Sequence, residues 1–126
     1  MQIRIYSALP EREKQVLFEL VQECNKADGG YRLPYLDNNY NADPEMPAFF
    51  LAEMDGRTIG FLSVYADEPS QAEVSLYVLP DYRRQGVAKQ LLTAFAKVAD
   101  QYDLTEIEYI AELAFLNGHP DFARWL

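Results

Sequence analysis

Residues 74–92, VSLYVLPDYRRQGVAKQLL, decide how this chain folds and where it binds a ligand. An apolar strand leads into a polar loop with a single glycine, Gly86, and a helix begins directly after it. Backbone N–H groups in the first turn of a helix have no intrahelical partner, and the helix dipole is positive there. Glycine lets an anion approach the backbone, and Arg83, Arg84 and Lys89 add positive charge. The segment therefore predicts a phosphate or pyrophosphate site.

The pattern Arg83-x-x-Gly86-x-Ala88, directly after Val78-x-Pro80, resembles motif A of the GNAT superfamily of N-acetyltransferases. The loop lacks the three glycines of a dinucleotide fingerprint and the Gly-Lys-Ser/Thr ending of a P-loop. The resemblance implies acetyl-coenzyme A as cosubstrate, with loop amides on its pyrophosphate and the preceding strand paired with its pantetheine arm. The cofactor-binding residues that it implies are Leu76, Tyr77, Val78, Arg83, Arg84, Gln85, Gly86, Val87, Ala88 and Lys89.

Composition predicts one folded domain over residues 1–126, because 49% of the residues are hydrophobic and disorder is therefore excluded. No apolar run approaches the roughly 20 residues that cross a bilayer, and residues 1–6 alternate like a strand rather than a signal peptide, so we expect a cytoplasmic protein without a membrane partner. A single cysteine, Cys24, and a single histidine, His119, provide neither a disulfide nor a metal cluster.

The net charge of −9 argues against a nucleic-acid partner, because phosphate backbones require a basic surface. An acidic surface attracts cationic small molecules or basic peptides over long range. It also simply keeps a protein in solution, and the sequence does not choose between these interpretations.

Hydrophobic periodicity and turn residues predict a mixture of strands and helices, and their order resembles that of the GNAT fold, which implies a mixed α/β (α+β) domain with a mainly antiparallel sheet flanked by helices. The predicted order is a strand at 2–7, a helix from 9 to 28, an irregular stretch at 31–47, a hairpin at 48–65, a strand at 71–79, a helix at 87–101, a strand at 104–112 and a helix from 117. Asp55-Gly56 suits the two-residue type I′ turn of the hairpin. The last two strands are expected to be parallel, because a helix joins them.

Residues 31–47 are rich in tyrosine, proline, asparagine and aspartate. This composition predicts a loop. The stretch is either a substrate-facing wall or a tyrosine-rich surface loop packed on the sheet, and both interpretations remain open.

Members of the family usually continue past the last helix into one or two more strands, whereas this sequence stops at Trp125-Leu126. We therefore expect a fragment of a longer or tandem protein, without the usual C-terminal strands. The alternative is that a partner chain, as in a homodimer, completes the sheet.

Glu73 is the candidate catalytic base, because the resemblance places it where histone-type members of the family carry a catalytic glutamate. Such a residue takes a proton from the acceptor ammonium, directly or through water. The competing interpretation is an ordinary strand residue facing solvent. Backbone N–H groups near Val78 are expected to polarise the thioester carbonyl. Cys24 lies in a helix without a nearby histidine and is expected to be a packed or surface thiol rather than a nucleophile.

The proton donor to the departing thiolate stays open. The family's tyrosine position falls near Trp125, whose indole donates a hydrogen bond but is no proton-transfer acid. Tyr109 or a tyrosine within residues 31–40 is the alternative. The predicted function is transfer of an acetyl group from acetyl-coenzyme A to a primary amine, on a small molecule or a peptide, by direct attack and without a metal. The second hypothesis is a non-catalytic coenzyme A-binding module with a regulatory or structural role.

Overall fold

The computed structural model describes residues 1–111, and these contain five strands and two α-helices in the predicted order. The elements are β1 (Gln2–Tyr6), α1 (Glu11–Asp28), β2 (Phe49–Met54), β3 (Arg57–Tyr65), β4 (Gln71–Val78), α2 (Val87–Gln101) and β5 (Glu106–Ile110). A 3₁₀ turn, Pro80–Tyr82, was not predicted and opens the loop between β4 and α2. The helix predicted from Asn117 lies outside the described residues.

The strands form one mixed sheet in the order β1-β2-β3-β4-β5. Every neighbouring pair is antiparallel except β4 and β5, which are parallel as predicted. Because side chains alternate along a strand, each strand contributes to two faces. Phe61 and Tyr77 share the face that α1 covers, and Gly60 and Val78 share the face that α2 covers. The predicted α+β fold is therefore confirmed.

Helix α1 begins after Pro10 and ends at Gly29, whose φ of 76° belongs to the left-handed region that favours glycine. Its buried side chains are Glu13, Leu17, Leu20, Val21 and Cys24. Val16, which the periodicity placed on the buried face, is 37% exposed instead. The contact face follows the spacing 17, 20, 21 and 24, and Val16 lies at its margin.

The buried carboxylate of Glu13 is paired rather than isolated. Arg4 of β1 donates to it with an Nη2–Oε2 distance of 3.1 Å, and the same guanidinium lies 2.7 Å from Glu53 of β2. A buried charge is costly unless it is paired, so this ion pair fixes the start of α1 on the first two strands.

Helix α2 buries Val87, Leu91, Phe95 and Val98 against the sheet, as its periodicity predicts, whereas Leu92, expected on the same face, is only partly buried. Gly60 of β3 permits this close contact. A Cβ at residue 60 would lie 2.8 Å from Val87 Cγ1 and 3.2 Å from Leu91 Cδ1. Any larger residue at position 60 would push the first turn of α2 away from the sheet.

The hairpin turn has positive φ at both central residues, 52° at Asp55 and 76° at Gly56, which confirms the predicted turn geometry. The β2–β3 register shifts between Ala52 and Glu53, and this irregularity was not predicted. Bulges of this kind leave no strong signal in the apolar sequence of β3.

Candidate functional site

The loop between β4 and α2 has an unusual backbone. Arg84 has a φ of 62° and Gly86 a φ of 83°, whereas Gln85 between them does not have a positive φ. Alternation of this kind turns successive N–H groups toward one concave side, which is the geometry of an anion-binding nest. A Cβ built on Gly86 would meet no atom within 4 Å, so the space beside this residue is open.

Helix α2 has no side-chain cap at its N-terminus. Gln90 N–H donates to the Gly86 carbonyl, but the N–H groups of residues 84–89 find no acceptor anywhere in residues 1–111. Arg84 and Lys89 are exposed, and neither forms an ion pair with any described residue. Unpaired N–H groups, the positive end of the helix dipole and two unpaired cations together favour an anion here.

The Arg83 side chain points away from this row of N–H groups. Its Nη1 and Nη2 atoms donate to Asp28 Oδ1 and Oδ2 at 2.7 and 2.8 Å, and its Nε donates to the Val78 carbonyl at 2.9 Å. The bidentate hydrogen bond to Asp28 raises the pKa of Arg83. This guanidinium therefore ties the loop to the C-terminal end of α1, because its charge is already matched by a carboxylate.

The described pairing of the two parallel strands ends beside the loop. Their register ends at Ser75 and Ile110, so residues 76–78 of β4 have no β5 partner within the described part of the chain. Leu79 N–H donates to Ile59 of β3, and alternation along the strand turns Val78 N–H to the opposite, β5 side. This edge can therefore accept an extended ligand as an added strand.

A pocket lies beside this edge, on the face that α1 covers. It is lined by Arg32, Pro34, Tyr35, Asp37, Ser63, Val64, Tyr65, Glu73 and Ser75. Ser75 is also the last β4 residue in register with β5, so the pocket begins where the described pairing of these two strands ends. We call it the tyrosine pocket, after Tyr35 and Tyr65. Burial and the neighbouring Asp67 carboxylate raise the pKa of Tyr65.

Tyr109 and Cys24 lie away from the tyrosine pocket. Tyr109 is in register with Val74 and shares its face, which is opposite to that of Glu73. The Cys24 thiol is 1% exposed and lies 3.4 Å from the Val78 carbonyl. Desolvation raises its pKa to about 11, so it is a packed thiol as expected and not a nucleophile at neutral pH.

Residues 1–111 contain neither a metal-binding cluster nor a membrane-spanning helix. No three histidine, cysteine, aspartate or glutamate side chains there are grouped so as to hold a metal ion. None of the helices in that range has the length and apolar character needed to span a membrane.

A sequence model of the acetyltransferase (GNAT) family matches residues 14–117, a range that includes most of α1, the sheet from β2 onward and α2. The chain belongs to the GNAT acetyltransferase family. Among curated proteins no sequence matches it significantly.

Solved GNAT structures share this fold. A ribosomal-protein-alanine N-acetyltransferase from Brucella melitensis biovar Abortus 2308 superposes with a TM-score of 0.65 at 22% identity, covering 99% of this chain and 91% of that one. The PaiA N-acetyltransferase from Thermoplasma acidophilum, in complex with coenzyme A, gives 0.70 at 20% identity, with 98% and 88% covered. The diaminobutyrate acetyltransferase EctA from Paenibacillus lautus, in complex with its substrate and coenzyme A, gives 0.68 at 19% identity, with 98% and 74% covered.

The structure brings most of the predicted cofactor-binding residues together at one edge. Leu76, Tyr77 and Val78 lie on the part of β4 that follows its described pairing with β5. Arg84, Gln85, Gly86, Val87, Ala88 and Lys89 surround the N-terminus of this GNAT chain's α2. The Val87 side chain is only 2% exposed, so its part in binding would be played by its backbone. Arg83 lies in the same loop, but its side chain contacts Asp28, and Glu73 lies in the tyrosine pocket.

Sequence reasoning missed Asp28 and most of the tyrosine pocket. An acidic residue in the last turn of a helix is unfavourable against the helix dipole, and this signal could have indicated a cationic partner for Asp28. The sequence carries no comparable signal for Ser63 or Tyr65, because the sequence of a strand does not show which loop will cover that strand. The loop at 31–47 is irregular as predicted, and part of it lines the pocket.

Replacing Gly86 with valine is expected to weaken coenzyme A binding at least tenfold while the fold is retained. The new side chain would fill the open space beside the N–H row and strain a left-handed residue by about 1–2 kcal/mol. Calorimetry with coenzyme A measures the loss. Gly56→Val is the matched control, because Gly56 has a φ of 76° and equally open surroundings in the hairpin turn. An unchanged affinity in Gly86→Val would contradict the assignment of the loop.

Asp28→Asn and Arg84→Ala distinguish the roles of the two arginines. If Arg83 holds the loop in place, Asp28→Asn will weaken coenzyme A binding, because it removes the bidentate partner. If the Arg83 guanidinium instead binds phosphate, the same variant will strengthen coenzyme A binding, because it releases the guanidinium from its carboxylate partner.

Arg84→Ala should lose affinity for coenzyme A mainly at low salt, since exposed charges are screened over about 8 Å at physiological ionic strength. Calorimetry at two salt concentrations measures both effects.

Proposed function

We propose that this GNAT chain transfers an acetyl group from acetyl-coenzyme A to a primary amine. The N–H groups of residues 84–89, which have no acceptor among residues 1–111, carry the proposal, since they can bind the pyrophosphate of coenzyme A beside the end of β4. The residues present therefore fit this cosubstrate. Neighbours with the same fold were solved with coenzyme A, which supports the choice of ligand.

Val78 N–H is proposed to stabilise the negative charge that develops on the thioester oxygen. It points to the β5 side of β4, beyond the last described pair of these strands, so an extended pantetheine arm along residues 76–78 can bring the thioester carbonyl to it. A preorganised backbone donor stabilises the transition state most when it lies at the position where the negative charge develops. Arg83 Nε on the Val78 carbonyl and the Cys24 thiol near it hold this strand end in place.

Glu73 is proposed to take a proton from the acceptor ammonium, directly or through one water molecule. The neutral amine nitrogen then bonds to the acetyl carbon, the carbon–sulfur bond breaks, and the second proton that the nitrogen loses balances the proton that the departing thiolate takes up. The position of Glu73 supports this role, because it lines the tyrosine pocket and Ser75, two residues on, borders the edge of β4. Tyr35, one of the tyrosines considered as proton donor, also lines this pocket.

An amine acceptor agrees with the substrates that appear in the names of structural neighbours. These include diaminobutyrate and aminoglycosides, which carry amino groups. Their identity to this chain is too low to transfer a substrate, so the acceptor has to be argued from the pocket itself.

Replacing Glu73 with glutamine should lower turnover by about 10²–10⁴-fold, because general-base assistance is typically worth that much. The affinity for acetyl-coenzyme A should stay nearly intact. The loss should be greatest near neutral pH and shrink at high pH, where the acceptor is already a free amine. A pH–rate profile of thiol release on one accepted amine measures this.

Glu108→Gln is the matched control, because Glu108 is in register with Glu73 on β5 and loses the same charge outside the pocket. Profiles of Glu73→Gln and wild type that differ by less than a few-fold would leave Glu73 as a strand residue. Tight coenzyme A binding without turnover on any amine would favour a non-catalytic binding module.

A further inference from the structure

The tyrosine pocket is held in shape at both ends of its loop wall. Asn25 Nδ2 donates to the Arg32 carbonyl at 2.8 Å, and Arg32 Nη1 donates to Ser75 Oγ at 2.7 Å. At the other end Asn41 Oδ1 accepts the Ala66 N–H at 2.9 Å. These hydrogen bonds fasten the wall to β4 and to the end of β3, which is typical of preformed binding pockets.

Ser63 is an unexplained polar group in the floor of this pocket. It is only 5% exposed, yet its hydroxyl makes no hydrogen bond with any of residues 1–111. The Ser63 hydroxyl therefore opens into the pocket, where a ligand or a water molecule can bond to it. Ser63 is in register with Ser75, the last β4 residue with a described β5 partner. A ligand bound to Ser63 therefore lies next to the β4 edge along which the thioester is proposed to lie.

The charges around the pocket favour a cation. Glu73 and Asp37 line it, and Asp67 lies beside Tyr65. The facing cation is Arg32, whose guanidinium is already bonded to Ser75. The carboxylates outnumber the guanidinium, and the two that line the pocket come from opposite sides of it, one from β4 and one from the loop.

Three tyrosine rings continue from the pocket toward solvent. The ring centroids of Tyr65 and Tyr35 are 5.2 Å apart, and those of Tyr35 and Tyr40 are 5.0 Å apart. Tyr35 and Tyr40 are 53% and 57% exposed, so much of their ring surface is open. Tyrosine rings bind methylene groups by apolar contact and ammonium groups by cation–π attraction.

We infer that the tyrosine pocket selects an acceptor with two cationic amino groups separated by an apolar spacer, that is, an α,ω-diamine or a longer polyamine. The reacting amine lies at Ser63 and Glu73, and the second ammonium lies at Asp37 and the Tyr35 ring. The inference rests on the proposed acetyl transfer for the identity of the reacting amine. It adds the substrate class, and with it a specificity role for Asp37 and Tyr35.

Three five-carbon ligands that differ only at the far end test this assignment by calorimetry. They are 1,5-diaminopentane, pentylamine and 5-aminopentanoate, each added at low ionic strength to the protein saturated with coenzyme A, so that no turnover occurs. We expect the diamine to bind about two- to fivefold more tightly than pentylamine, since an exposed cation–π contact or ion pair is worth this much. The carboxylate analogue should bind most weakly. A diamine no tighter than pentylamine, or a preference for 5-aminopentanoate, would overturn the inference.

Single substitutions test which residues cause the preference for the diamine over pentylamine. Asp37→Asn and Tyr35→Leu should each reduce the ratio of diamine to pentylamine affinity toward one, and raised salt should do the same. Asp100→Asn, which loses the same charge on the exposed side of α2, should keep the wild-type ratio. If the ratio falls equally in Asp100→Asn, the preference for the diamine reflects only the net charge of the chain. This result would contradict specific recognition by the pocket.

Turnover is measured separately on the same three amines, with acetyl-coenzyme A. Preferential diamine binding without acetylation of any amine would contradict the proposed function and would still support the assignment of the pocket. Acetylation of all three at equal kcat/KM would support the proposed function and would overturn the inferred specificity.

Discussion

The structure depends on one constraint: the backbone N–H groups that open α2 have no acceptor among the described residues. Most proteins cap such groups with a side chain, but here the preceding residue is a left-handed glycine that offers none. Gly60 holds the first turn of α2 close to the sheet, and Arg83 and Asp28 hold the loop to α1. The N–H row is therefore rigid and ready for an anion, and such preorganisation reduces the ordering cost of binding.

The same elements connect this row to the tyrosine pocket. Strand β4 passes beneath the loop at Val78, loses its β5 partner after Ser75, and carries Glu73 on the face that α1 covers. A ligand along the strand edge is thus bound by backbone at one end and meets side chains at the other. Contacts made by backbone N–H groups do not depend on side-chain identity. Substitutions in the tyrosine pocket can therefore change the preference for an acceptor without altering the geometry of the loop.

The fold was largely predictable from the sequence, and the site only in part. Apolar periodicity and Asp55-Gly56 predict the strands, helices and turn, because local patterns determine them. The loop residues were predictable through their family pattern. The Arg83–Asp28 pair was not, because it joins residues far apart in the chain, and the family pattern indicates that an arginine is present without showing where its side chain points. The tyrosine pocket was equally hidden, since it forms only where a loop without periodicity lies over a sheet edge.

The central claim is that backbone N–H groups of the loop, rather than side chains elsewhere, bind coenzyme A. Amide nitrogen–proton correlation NMR with added coenzyme A tests it directly. We expect the amide resonances of residues 84–89 and of Val78 to shift most, since these N–H groups gain acceptors. Shifts that leave residues 84–89 unchanged while coenzyme A binds elsewhere on the chain would contradict it.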